Sequence, residues 1–243
     1  MTKNFDKLKH VLIFRFSSTE GPGYLETYLN ERMVQWQLVQ VDAGQSVPEL
    51  SADIAAIALM GGPMSVNDKL SWIEPLLNLL KQAVASDVPV IGHCLGGQLL
   101  AKSLGAEITD NTCPEIGWGE VNVRPSAVAE EWFGGLQKFE VFHWHYQTFS
   151  IPAASASVMS SLFCHHQAFV VNERHIGFQC HIEMTSNMVR QWCEDAEKSI
   201  GSLGAIASVQ TKSQILQDLD FKISQLNNVA TNIYQRWLSK ANL

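Results

Sequence analysis

An α/β fold, with a mostly parallel central sheet layered between helices, is what this sequence predicts, and three observations predict it. Short apolar runs alternate with helical patterns over residues 11–104, as in successive βαβ units. Parallel strands joined in this way are covered on both faces, and their runs are correspondingly apolar throughout instead of alternating. Three of the predicted strands also end in conspicuous turns: Gly61-Gly62-Pro63, Gly92-His93-Cys94-Leu95-Gly96, and the polar stretch after Gly177-Phe178. Crossover connections gather such ends at one edge of the sheet, which is where α/β folds carry their sites.

The elements follow in order. Val11 to Phe16 is a strand, Pro22 opens a helix through about Gln35, and Gln37 to Val41 is the second strand. Ile54 to Met60 is the third. Ser71 is positioned to cap a helix to Ala85, with Pro75 tolerated in its first turn. Val88 to His93 is the fourth strand, and Leu95 to Leu104 carries leucines at helical spacing. Between Gly117 and Val171 the pattern changes to shorter strand-like pieces, Glu120 to Val123, Glu140 to Phe142 and Ala168 to Val171, broken by Pro and Gly. These form an antiparallel flank of the same sheet. Gly177 to Ile182 is a strand running into a polar turn, and a helix capped near Thr185 or Ser186 continues to about Ile200. A Gly/Ser/Ala-rich hinge leads to a last helix whose Ile215, Leu219, Ile223, Leu226, Ile233 and Trp237 form an apolar stripe. That stripe is covered by the domain itself, by a partner protein or by a second copy in a homodimer. With no Pro/Ser-rich linker and no repeat, residues 1–243 are expected to be a single domain, its core about 10–190 and its helical tail about 186–243.

Composition narrows the function classes. The 243 residues are 46% hydrophobic, enough for one sizeable core without staples. A net charge of -7 without any Lys/Arg cluster argues against a nucleic-acid footprint. Five cysteines at irregular spacing, Cys94, Cys113, Cys164, Cys180 and Cys193, fit a reducing compartment better than a disulfide framework or a Cys-pair zinc site. The start, MTKNFDKLKH, is basic but runs straight into VLIFRF, which is not the pattern of a secretory leader. No stretch has the length of a membrane span, so a cytoplasmic protein without membrane association is expected.

Cys94 carries the chemistry. A Gly-x-Cys-x-Gly run between a buried strand and a helix holds a thiol at a strained elbow, with the helix N-terminus favouring negative charge on sulfur. The bland alternative is a buried cysteine beside a glycine-rich turn. The elbow leaves Leu95 N–H directed at whatever the sulfur attacks, and the glycine loop after a neighbouring strand offers Gly62 N–H as a second oxyanion donor. A thiol nucleophile needs a base. His181 ends a strand, and Glu183 two residues later can hold its imidazole in one tautomer.

Five segments, MGGPMSVND, GHCLGGQLLA, EIGWGEV, FHWHYQTF and GFQCHIEMT, occur in the order and at about the spacing of a class I glutamine amidotransferase. The chain resembles that family over roughly residues 10–190, and within it the stand-alone subgroup similar to the amidotransferase domain of GMP synthase. The resemblance implies a Cys-His-Glu triad that removes ammonia from glutamine through a γ-glutamyl thioester, with no cofactor and no metal. Cys94 is then the nucleophile, His181 the base, Glu183 its orienting partner, Gly62 and Leu95 the oxyanion hole. Gln98 matches a residue that helps hold the substrate, and Trp144, His145 and Tyr146 match a loop lining the glutamine site. Here the chain departs from the family. Where the subgroup has Trp-His-Gly-Asp/Glu, this sequence has Trp144-His145-Tyr146-Gln147, and Cys180 replaces the usual phenylalanine before His181. The first departure favours a γ-glutamyl portion or leaving group other than plain glutamine. Too little chain follows His181 for an ATP-binding synthase domain, and no Walker-type loop is present. Either a separate synthase subunit receives the ammonia, or the protein is a free-standing hydrolase of γ-glutamyl amides or peptides. A redox-sensing protein of the same fold, in which Cys94 is oxidised instead of acylated, is the non-enzymatic alternative.

Of the remaining candidates, His143 and His145 share a strand face and His165-His166 follow Cys164, but no acidic partner is evident to orient them around a metal. Gly117-Trp118-Gly119 is expected to be a turn with its indole on the sheet, and Glu115 and Glu120 to be solvated.

Overall fold

In the computed structural model, which describes residues 9–196, 201, 203, 205–241 and 243, the strands in chain order are β1 (His10–Arg15), β2 (Trp36–Gln40), β3 (Ile54–Leu59), β4 (Val90–His93), β5 (Ile108–Val123), β6 (Lys138–Phe149), β7 (Ser155–Ser161), β8 (Ala168–Val171) and β9 (His175–Phe178). The helices are α1 (Tyr24–Glu31), α2 (Ile73–Ala85), α3 (Leu95–Ser103), α4 (Ala127–Phe133), α5 (Ser186–Asp195), α6 (Lys212–Leu216) and α7 (Leu219–Ser239). The basic residues 1–8 and the expected helix end at Ile200 lie outside the described residues.

All nine strands form one sheet in the order β2-β1-β3-β4-β9-β8-β7-β5-β6. From β2 to β9 the pairings are parallel, and from β9 to β6 they are antiparallel. The parallel half is what the βαβ pattern predicts. Strand β9 joins the halves, and so the segment that delivers His181 lies beside the one that delivers Cys94: Gly92 pairs with Gly177 and His93 with Phe178.

One face of the sheet packs on α1, α4, α5, α6 and α7 through residues such as Leu25, Trp132, Val189, Ile215 and Trp237, and the other on α2 and α3 through Leu76, Leu80, Leu99 and Leu100. This is a three-layer α/β/α arrangement. Burying each such side chain stabilises the fold by about 1.5–3 kcal/mol before entropy is counted. The apolar stripe of the tail is covered by this core, since Ile215, Ile233 and Trp237 are all fully buried.

Element bounds differ from expectation where a turn outweighs propensity. α1 ends at Glu31 and not near Gln35, because Met33 adopts φ 55° and the Val34 and Met33 N–H groups donate to the Leu29 and Asn30 carbonyls, closing the helix in a Schellman pattern. α2 begins at Ile73, with Ser71 outside it. Ile73 N–H donates to Leu70 O, so a preceding turn replaces the hydroxyl cap. Of the fragments expected between Gly117 and Val171, Ala168–Val171 is β8, and Glu120–Val123 and Glu140–Phe142 are parts of the long antiparallel β5–β6 pair, whose register shift between Asp110 and Glu115 absorbs Pro114. Gly117-Trp118-Gly119 is therefore not a turn but mid-strand, with Gly117 at φ 107° and the Trp118 indole N–H donating to Ile215 O. Helix α4 was not foreseen from the sequence; Ser126 caps it, its Oγ accepting from Ala129 N–H. The last helix is broken at Asp218, φ 54°, into α6 and α7.

Candidate active site

Cys94 lies between β4 and α3 with φ 49° and ψ −107°. A non-glycine residue in this region costs about 1–3 kcal/mol, and the surroundings must hold it there. They do so by close approach. A Cβ on Gly92 would lie 2.4 Å from the Gly96 carbonyl carbon and oxygen, and one on Gly96 would lie 2.3 Å from Leu59 O. Gly96 N–H donates to Met60 O at 3.1 Å, tying the elbow to the end of β3. Cys94 is 6% exposed and lines a cavity of about 480 Å³. Its sulfur lies 3.8 Å from Trp144 O and 3.7 Å from Gln179 Nε2.

His181 follows β9, and its N–H donates to Phe142 O, which fixes the turn against β6. Its Nδ1 is 2.6 Å from Glu183 Oε1, and both side chains are buried. Burial alone would lower the imidazole pKa, but the charges of Glu183 and Cys94 and their hydrogen-bonding raise it well above 6.5. Glu183 is the converse case: burial opposes its charge, and His181 with His93 outweighs burial and lowers its pKa. His181 Nε2 is buried and closes no hydrogen bond, although Cys94 is near enough to act on the ring. Trp192 of α5 stands edge-on to the imidazole at 5.0 Å, held by its indole N–H to Thr19 O. Behind the elbow, His93 Nδ1 lies 3.2 Å from Leu59 O, which can only accept. The proton is therefore on Nδ1, and Nε2 accepts from Tyr234 O–H at 3.2 Å, so α7 of the tail buttresses the residue next to Cys94.

Gly62 lines the cavity and packs against Leu95: a Cβ on Gly62 would lie 2.6 Å from Leu95 Cδ2. Neither N–H donates to a protein acceptor among the described residues. Cys94, His181, Glu183, Gly62 and Leu95 are thus brought together by three adjacent parallel strand ends.

Residues 23–193 match the family model of glutamine amidotransferase class-I, about 70% of the chain. The chain belongs to the class I glutamine amidotransferase family. The glutamine amidotransferase-like protein YfeJ of Salmonella typhimurium is 27% identical over 193 residues, 75% of this chain and 79% of that protein. GMP synthase of Sodalis glossinidius is 28% identical over 70% of this chain, which spans only 33% of that enzyme's length. Among solved structures, a glutamine amidotransferase from Methylobacillus flagellatus is 45% identical and superposes with a TM-score of 0.93 over 96% of each chain. One from Thermotoga maritima, 22% identical with a TM-score of 0.85 over 96% of this chain and 99% of that one, shares the fold. Glutamine amide transfer is the activity general to this family. No helix among the described residues is long and apolar enough to cross a membrane.

Other residues of this amidotransferase chain sit differently from expectation. Gln98 lines the cavity, but its Nε2 is committed to Gln147 O and Gln179 Oε1. Trp144 and the half-exposed Tyr146 line the cavity as β6 residues. His145 also reaches the wall, yet its ring is held between Gln147 O and Glu115. Glu115 is not solvated as expected. It is 4% exposed, with Oε2 2.9 Å from His145 Nε2 and 2.6 Å from Gln167 Nε2, and Oε1 accepting from Ser161 O–H at 2.7 Å. It is also the acidic partner for His143 and His145 that the sequence did not reveal, because the β5–β6 register sets it opposite His145. Burial opposes its charge, but these donors together lower its pKa. Glu115, His145 and Cys164 offer ligand atoms within 4.8 Å of one another. Those atoms are engaged in hydrogen bonds, Cys164 Sγ with Thr148 Oγ1, and burial pushes the Cys164 thiol up to about 11. That is the chemistry of a buried polar network. Glu120 is exposed and ion-paired with Lys138.

Three cavity carboxylates were not singled out by sequence. Glu20, Asp110 and Asp195 come from a loop, a strand edge and a helix end, and ordinary surface carboxylates look the same in sequence. Gln147 spans the acyl end, its Oε1 accepting from Ser65 O–H and its Nε2 donating to Asp110 Oδ1. Asp110 thereby places a negative charge beside the position where this chain lacks the subgroup's carboxylate.

The His181–Glu183 pair has a definite pH sign. With His181 raised in the folded state, its stabilisation is complete below the ordinary histidine pKa and is lost as pH climbs through the higher folded value. In Glu183→Gln, burial loses its main opponent and the imidazole pKa falls. NMR titration of the His181 ring should show the wild-type ring charged at pH 7 and the variant titrating at lower pH; an unchanged titration contradicts the assignment.

Proposed function

We propose that this protein is a cysteine-dependent glutaminase of the amidotransferase family, in which Cys94, His181 and Glu183 act as nucleophile, general acid/base and orienting carboxylate. One observation carries the reading: an imidazole, anchored on Nδ1 by Glu183, presents its Nε2 to the cavity beside a thiol on a strained elbow. Cys94 sulfur attacks the γ-carbonyl of glutamine or a γ-glutamyl compound. Gly62 and Leu95 N–H groups receive the oxyanion, and His181 protonates the departing nitrogen. Water, deprotonated by His181, then opens the γ-glutamyl thioester. Glu183 stabilises the imidazolium in both halves of the cycle. Asp110, fixed by Gln147, supplies negative charge for the substrate ammonium at the acyl end.

Residues 1–243 act as one domain in this reading, without a cofactor, in a reducing cytoplasm that suits five cysteines at irregular spacing. Ammonia passes to a separate synthase subunit or acceptor. A free-standing γ-glutamyl peptide or amide hydrolase is the second reading, favoured by a cavity of about 480 Å³ that exceeds the needs of glutamine and by the half-exposed Tyr146 at its rim.

The purified chain is expected to release glutamate from glutamine or from a γ-glutamyl peptide, measured side by side by coupled assay. Preference for the peptide selects the second reading, and preference for glutamine the first. Absence of turnover on both sinks the proposal.

A further inference from the structure

Two carboxyls in the cavity are left unused by the mechanism above, Glu20 and Asp195, and Asp195 already accepts from Gln191 Nε2. Glu20, in the loop between β1 and α1, lines the cavity; its N–H donates to Ser17 O, but its carboxyl has no hydrogen-bond or ion-pair partner among the described residues. Its position is defined by Gly61: a Cβ there would lie 2.3 Å from Glu20 Oε2 and 2.8 Å from His181 Cε1. The carboxyl is therefore a close neighbour of the edge of the imidazole that joins Nδ1 to Nε2, within the same cavity as Cys94. Asp110, by contrast, is joined to Gln147 in the β5–β6 hairpin.

We infer that Glu20 is a substrate-contacting specificity residue, the acceptor that receives the N–H groups of the departing amine and so makes the site select γ-glutamyl amides over γ-glutamyl esters. The inference deepens the proposed function and rests on it. A hydrogen-bond acceptor that faces a cavity without a protein donor is satisfied by what enters, and the scissile amide is the part of such a substrate that brings N–H groups to the neighbourhood of His181 Nε2. In the acylation step the Cys94 S–C bond forms as the C–N bond breaks, and the nitrogen leaves as a neutral amine with the proton carried by His181. Glu20 exchanges neither electrons nor protons in this step; it accepts a hydrogen bond that shortens as the nitrogen becomes more tetrahedral.

The electrostatics are compatible. Burial raises the Glu20 pKa to about 7, with the His181 charge opposing and the Glu183 charge reinforcing the rise. With its pKa raised while that of Glu183 is lowered, Glu20 carries less charge than Glu183 and competes less for the imidazolium, so the two acids keep separate roles. Those two groups, His181 and Glu183, and the cavity carboxylates Asp110 and Asp195 are the charged groups that share its surroundings.

The test compares glutamine with a γ-glutamyl nitrophenyl ester, whose leaving group carries no N–H and departs as an anion. Purified full-length wild type, Glu20→Ala and the isosteric Glu20→Gln are assayed on both, with thermal midpoints recorded. Glu20→Ala is expected to lose about 10- to 100-fold in kcat/KM on glutamine and less than about 3-fold on the ester. Glu20→Gln, which keeps an acceptor oxygen, is expected to fall between wild type and Glu20→Ala. Equal losses on both substrates, or no loss on glutamine in either variant, overturn the inference. Cys94→Ala, run alongside, separates the failures: if it is inactive while Glu20→Ala behaves as wild type, only this inference fails, whereas an active Cys94→Ala removes the proposed function and this inference together.

Discussion

Cys94→Ala is expected to lower kcat for glutamate release by at least about 10⁴-fold, the scale of losing a nucleophile from a catalytic unit. The change removes the sulfur of a residue that is 6% exposed, whose hydrogen-bonding contacts are Trp144 O and Gln179 Nε2 besides the His181 ring. It leaves the elbow intact, because φ 49° is imposed by the approach of Gly92 to Gly96 and of Gly96 to Leu59, and alanine meets the same backbone demand as cysteine. The thermal midpoint should therefore move by no more than about 4 °C, equivalent to ~1 kcal/mol for a chain of this size. Steady-state assay and a thermal melt on the same preparation check both halves. Loss of activity accompanied by a large fall in midpoint assigns Cys94 to the fold instead of the chemistry.

Gly97→Ala reverses that pattern. A Cβ at Gly97 would lie 2.2 Å from Phe178 O and 3.0 Å from Phe178 N and C, all backbone atoms that cannot rotate aside. Helix α3 must then move away from β9. Overpacking of this kind costs about 1–3 kcal/mol and more where the neighbour is rigid, so the midpoint should fall by roughly 6–12 °C if the loss reaches about 3 kcal/mol. Activity should fall further than stability accounts for. Cys94 is the residue that starts α3, while His181 lies three residues beyond Phe178 at the end of β9, so separating helix from strand separates sulfur from imidazole. A displacement near 1 Å costs about 10²-fold in rate. A melt and kcat measured well below the new midpoint test this; native values in both contradict the packing.

What was legible in the sequence was what local chain chemistry determines. The β-branched run ahead of Cys94 and the glycines at 92 and 96 specify an elbow without reference to the rest of the molecule, and His181 with Glu183 sit in one short turn. The parallel half of the sheet followed from alternation of strands and helices. The β5–β6 hairpin was read as fragments because Pro114 and Gly117 mark turns locally, whereas the bulge that accommodates them exists only through pairing with β6. Glu115 was misjudged for the same reason: its partners His145, Ser161 and Gln167 are assembled by register across β5, β6 and β7. Glu20 and Asp110 look like surface carboxylates until the β1–α1 loop and the hairpin edge are folded over the cavity. Likewise Tyr234 is one polar side chain on the buried face of an amphipathic helix until α7 brings it to His93.

The central claim is that one sulfur, and no other in the chain, is activated by one imidazole. Its most direct measurement is intact-mass and peptide mapping after brief exposure of the full chain to a chloroketone analogue of glutamine, in wild type and in His181→Ala. One adduct on the peptide containing Cys94, formed at least about 10²-fold more slowly in His181→Ala, is the predicted result. Labelling of Cys113, Cys164, Cys180 or Cys193 in place of Cys94, or labelling of Cys94 at the same rate in both proteins, would contradict it.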